Sequence, residues 1–100
     1  MEDRLIKAEN RLQELREKID VIYTTAKLLG YTAKKSGSIT VVYATSDSKF
    51  PLLEISAYNS SYNPAMTILK TKRINESPVH LVTASHENKL NHLADILQTL

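Results

Sequence analysis

Apolar residues along the first third of the chain recur with a helical period. Leu5, Leu12, Ile19 and Ala26 stand seven apart, and Ala8, Leu15, Ile22 and Leu29 stand seven apart with an offset of three. These are the a and d positions of nearly four heptads. Residues 3–29 contain no Gly or Pro and are rich in Leu, Glu, Lys, Arg, Gln and Ala, so they predict one continuous helix. Gly30 follows the last periodic residue and marks its stop. A helix of this length spans ~40 Å at ~1.5 Å per residue.

The stripe changes width along the helix. Up to residue 18 it is narrow, with Leu5, Ala8, Leu12 and Leu15 set among charges; from 19 onward Ile19, Val21, Ile22, Tyr23, Ala26, Leu28 and Leu29 broaden it. A narrow seam suits contact with another helix and a broad face suits packing on a sheet. The expectation is that the second half docks on its own domain and the first half projects or pairs. In a parallel in-register pair Arg4 would face Glu9, which attracts, and Arg11 would face Arg16, which repels, so the orientation stays open.

After Gly30 the period drops to two. Ser38–Thr45 is β-branched and alternating, with Ile39, Val41 and Tyr43 on one face and Val42 and Ala44 on the other. Tyr43, sharing a face with Ile39 and Val41, is read as core. Leu52–Tyr58 sets Leu53, Ile55 and Ala57 against Glu54, Ser56 and Tyr58; Met66–Lys72 predicts a third strand and Val79–Ala84 a short fourth. Ser46–Lys49, Asn59–Pro64 and Asn75–Pro78 have turn or loop composition, and Lys34-Lys35-Ser36-Gly37-Ser38 reads as a solvated helix-to-strand turn. Ser85 suits an N-cap with Glu87 in the first turn, ahead of a helix whose apolar face is Leu90, Leu93, Ala94, Leu97 and Leu100. The expected fold is α+β in two layers, ordered α-β-β-β-β-α. A long N-terminal helix and a C-terminal helix cover one face of a four-stranded antiparallel meander.

Composition narrows the setting. One hundred residues beginning at Met1 suggest a complete short product forming a single domain over 1–100. A domain so small buries a modest core. The absence of cysteine removes disulfides, thiolate nucleophiles and cysteine metal sites. With a charged N-terminus and no apolar run near ~20 residues, the expectation is a cytoplasmic protein with no membrane contact. The net charge of +2 is small, but its distribution is uneven. Residues 1–20 hold five basic against six acidic side chains; residues 27–49 hold Lys27, Lys34, Lys35 and Lys49 against Asp47; Lys70, Lys72 and Arg73 cluster later.

Little here points to chemistry. His86 and His92 are six apart and cannot chelate from one helix face; His92 and Asp95 share a face but are two ligands where a stable site needs three or four. His80 stands alone in a strand. No Ser lies in a Gly-x-Ser-x-Gly setting, and two glycines are too few for a phosphate loop. The expectation is therefore no catalytic residue, no metal and no cofactor. The leading reading is a small non-enzymatic homodimeric interaction protein (a regulator, adaptor or assembly factor of the phage, viral or microbial accessory kind), self-associating through Leu5, Ala8, Leu12, Leu15, Ile19 and Ile22. Its partner surface would be Tyr58, Tyr62, Lys70, Lys72 and Arg73, a flexible aromatic loop beside a basic strand edge. The alternative is a nucleic-acid-binding dimer in which those basic groups meet phosphates and exposed Tyr stacks on bases. A small ligand-binding or hydrolytic domain is the third, and needs a pocket joining a His to a carboxylate.

Overall fold

A computed structural model describes residues 2–82 and 86–98 of the chain. Helix α1 (Glu2–Leu28) leads into five strands, β1 (Thr32–Ser36), β2 (Ile39–Tyr43), β3 (Leu53–Asn59), β4 (Thr67–Arg73) and β5 (Val79–Val82), and helix α2 (His86–Gln98) follows. The strands form one antiparallel sheet in chain order. The N-cap expected at Ser85, the strand end at Ala84, the side chain of Glu87 and the last apolar position, Leu100, lie outside the described residues.

The fold class is as expected, with one correction: the sheet has five strands, not four. Thr32–Ser36, whose last three residues are read above as part of a turn, is an edge strand paired residue for residue with β2, from Thr32 opposite Tyr43 to Ser36 opposite Ile39. Its sequence, Thr-Ala-Lys-Lys-Ser, hides the strand because an edge needs few apolar side chains and gains from lysines that block further pairing. The hairpin closes through Gly37-Ser38. Gly37 has φ +60 while Ser38 is not among the positive-φ residues, the pattern of a two-residue type II′ turn.

Gly30 ends α1 as its position promises. It adopts φ +94, its N–H donates to the Lys27 carbonyl (3.1 Å), and the Tyr31 N–H donates to the Ala26 carbonyl (2.9 Å). This pair of bonds is the Schellman motif, which needs a left-handed residue at that point. The chain then reverses, and Ala33 packs into the core that the end of the helix covers.

The core lies between the helices and one sheet face. From α1 it takes Leu15, Ile19, Ile22 and Ala26; from the sheet, Ala33, Val42, Leu53, Ile55, Ala57 and Leu69; from α2, Leu93 and Ile96. Each fully buried Leu or Ile contributes about 1.5–3 kcal/mol. Two expectations change here. Tyr43 is not core: Thr40 and Val42 face the helices, and Ile39, Val41 and Tyr43 lie on the opposite side. On α2, Ile96 is buried while Ala94 is exposed. The covered face also holds Thr40, Thr67 and Thr71, exposed by 4% or less. Thr67 Oγ1 donates to Asn59 Oδ1 at 2.8 Å, with the Ala8 carbonyl at 3.3 Å as a second acceptor in reach.

The domain measures 47 × 23 × 22 Å, so a helix of ~40 Å overruns the sheet it lies on. The overrun shows at both ends of α1: Leu5 and Ile6 are 44% and 53% exposed, Leu28 and Leu29 82% and 62%. Between those ends α1 is tied down. Arg11 Nη2 donates to the Ala65 carbonyl (2.9 Å), and Asp20 pairs with Lys35 of β1.

Candidate functional site

The helices cover one face of the sheet; among the described residues, no element covers the other. Strand alternation and register fix which side chains occupy that open face. Directly opposed residues point the same way, so the face reads as rows across the strands. One row runs Lys34, Val41, Glu54, Lys72. The next runs Ser36, Ile39, Ser56, Lys70, His80. Tyr58, Ile68 and Val82 form a third, and Thr32 with Tyr43 closes the other end.

This is an unusual population for a solvated face. Ile39 and Val82 are 43% and 51% exposed, and Val41, Tyr43, Tyr58 and Ile68 are half-buried. Lys34, Lys70 and Lys72 stand among them against the single carboxylate of Glu54, and the Lys34 ammonium lies 5.6 Å from the Tyr43 ring centroid. The opposite side of the domain is different: exposed α1 residues such as Glu9, Glu14, Glu17 and Asp20 interleave with Lys7, Arg16 and Lys18. The molecule is polarised, with its surplus of positive charge on the open sheet face.

A depression of about 270 Å³ sinks into the middle of this face, lined by Ile39, Glu54, Ile55, Ser56, Lys70, Lys72 and Pro78. Pro78 belongs to the β4–β5 connection, in which Asn75 takes φ 63 and the Glu76 N–H donates to the Arg73 carbonyl (3.1 Å). The volume lies just below the ~300 Å³ of the smaller small-molecule sites. A second depression of about 220 Å³ shares Glu54 and Lys72 with the first and is bounded by Phe50, Pro51, Arg73, Ile74 and Asn75. Among the described residues, no three His, Asp or Glu side chains come together in a way that could hold a metal ion.

The expected site residues separate in space. Lys70 and Lys72 stand side by side on the open face, and Tyr58 joins them there from β3. Arg73, opposite Leu53, alternates away from that face, though it shares the second depression with Glu54 and Lys72. Tyr62 is 98% exposed on the β3–β4 loop. That loop is braced by its own side chains. Buried Ser60 accepts from the Tyr62 and Asn63 N–H groups (3.2 and 3.4 Å), and Asn63 Oδ1 accepts from the Ala65 N–H (3.2 Å). The heptad residues go mostly to the chain's own interior. Of the six expected for self-association, Ala8, Leu15 and Ile22 are fully buried, Ile19 is 4% exposed and Leu12 is half-buried, so that Leu5 alone of the six is exposed; Leu29, at the far end of the heptad, is exposed too. A second copy could reach the rest only by lifting α1 from the sheet.

Sequence reasoning missed Lys34, Ile39, Val41 and His80 as members of the same surface. The i, i+2 spacing of Lys70 and Lys72 was a usable signal for one face, but nothing local says that β1 exists or which side of β2 is covered. No family model, curated protein or solved structure matches the chain. No helix among the described residues is long and apolar enough to cross a membrane.

Proposed function

We propose that this protein is a non-enzymatic interaction protein, cytoplasmic in location, whose contact surface is the open face of the sheet. One observation carries the reading: Ile39, Val41, Tyr58, Ile68 and Val82 share a face with Lys34, Lys70 and Lys72, and no described element covers them. Apolar side chains left on a sheet face gain by burial against a partner. Lysines placed between them select a partner that returns negative charge. Self-association remains compatible with this surface, and the burial of Ala8, Leu15 and Ile22 argues against the α1 seam as its route.

The test is lysine accessibility. Lys34, Lys70 and Lys72 are compared with the exposed α1 residues Lys7 and Lys18 by amine labelling, in the purified chain and in the cells that make it. Protection confined to the sheet lysines in cells supports the reading. Equal labelling of both groups, or protection over α1, overturns it.

A further inference from the structure

The grid of the open face narrows the kind of partner. Lys70 and Lys72 lie on one strand, ~6.6 Å apart at the usual rise, and Lys34 lies three strands away, ~14 Å across the sheet. Between them run Ile39 and Val41, and the tyrosines stand at the two ends, Tyr43 beside Thr32 and Tyr58 beside Ile68. Cations thus flank a strip of apolar and aromatic groups, with the depression of about 270 Å³ between Ile39 and the Lys70–Lys72 pair.

Three occupants can be weighed against this arrangement. A second copy stacked face to face would bury lysines of both copies against one another, with only Glu54 from each side to offset them; buried ions without partners cost several kcal/mol each. An acidic peptide would answer the lysines but bring no regular series of flat apolar groups to the depression and the tyrosines. An unpaired nucleic-acid strand answers both, because its phosphates meet ammonium groups and its bases have flat apolar faces for aromatic rings and a shallow depression. A duplex fits poorly, since among the described residues this face presents no helix or arm that would enter a groove and reach stacked bases.

We infer that the open sheet face binds single-stranded nucleic acid, with Lys34, Lys70 and Lys72 on phosphates and the Ile39–Lys70 depression and Tyr58 on bases. This rests on the reading of that face as the contact surface. It differs from the sequence expectation in using a whole sheet face and not a strand edge, so Arg73 has no part in it. Among the described residues the face also carries the imidazole of His80, opposite Lys70, and the carboxylate of Glu54, opposite Lys72.

The experiment is fluorescence anisotropy of the full chain with dU and U homo-oligomers of about 15 nucleotides, long enough to fill one site on a small domain. Three phosphate contacts give a log–log salt slope of about −2, so binding should weaken roughly twentyfold between about 50 and 200 mM salt. Lys70→Gln with Lys72→Gln should weaken binding at least tenfold and flatten the slope to about −0.7, and Tyr58→Ala should weaken it roughly tenfold. Lys7→Gln with Lys18→Gln on α1 should leave it unchanged. Tighter binding of U than of the dU homo-oligomer, which differs from it only in the 2′-hydroxyl, assigns the ligand to RNA, and the reverse assigns it to DNA.

Several outcomes overturn the inference: no binding to either oligomer at low salt, binding insensitive to salt, or binding kept by the double Lys70/Lys72 variant. Displacement by polyglutamate at equal charge concentration would move the site to acidic peptides. A doubled solution mass that the lysine substitutions reinforce would give the face to a second copy. Far-UV circular dichroism shows whether each variant is folded. If the sheet lysines are protected in cells while no oligomer binds, this inference fails and the contact surface stands; if they are not protected, both fail.

Discussion

The two faces of the sheet are made by the same strands, yet they obey different rules. On β4, Leu69 faces the helices and is fully buried, while its neighbour Ile68 faces outward and is half-buried. On β3, Leu53, Ile55 and Ala57 alternate with Glu54, Ser56 and Tyr58. The buried part of the covered face holds side chains that fill space or, like Thr67, find a partner for their hydroxyl. The open face keeps lysines beside isoleucine and valine, a mixture that packing does not require. Residues on the first are therefore explained by stability, and those on the second call for a function.

Substitutions that separate neighbouring residues test this division. The largest effect is expected on β4. Leu69→Ala should cost about 3 kcal/mol in urea unfolding, whereas Ile68→Ala should cost about 1 kcal/mol or less. Equal costs, especially if they depend on protein concentration, would mean that the open face is covered in solution.

The same contrast applies along α1. Leu15→Ala should cost about 3 kcal/mol and Leu5→Ala under about 1 kcal/mol, because Leu15 is fully buried and Leu5 is 44% exposed. A large loss at Leu5 that comes with a fall in solution mass would return the seam to a role between copies.

Gly30→Ala probes a backbone requirement by itself. A Cβ there meets nothing within 4 Å, so the penalty is conformational. It should be about 1–2 kcal/mol, read as a lowered Tm. No loss would show that the helix end relaxes out of its left-handed residue. The smallest effect belongs to the pair between Asp20 and Lys35, whose side chains are 60% and 47% exposed. Asp20→Asn should change stability by no more than about 0.5 kcal/mol, and that change should vanish in high salt.

Much of the architecture was legible in the residues. The heptad-spaced helix, its stop at Gly30, the alternation of Leu53, Ile55 and Ala57, and the order of helix, meander and helix all follow from local preferences of period and turn. The candidate site was legible only in fragments. Lys70, Lys72 and Tyr58 stand out by type and spacing, but Arg73 joins them only by adjacency in the chain, and adjacent residues of a strand face opposite ways.

What the sequence by itself determined is the kind and order of the elements, because helical and extended periods are written into neighbouring residues. Three matters waited for the tertiary structure. Thr32–Ser36 became a strand because β2 offered it a partner, which propensity does not record. Tyr43 moved outward because register with β3 sets Val42 opposite Leu53, and parity in a strand can be decided only by its neighbour. The heptad residues Ala8, Leu15 and Ile22 went into the chain's own core, because a helix presents one apolar stripe whether a sheet or another helix receives it.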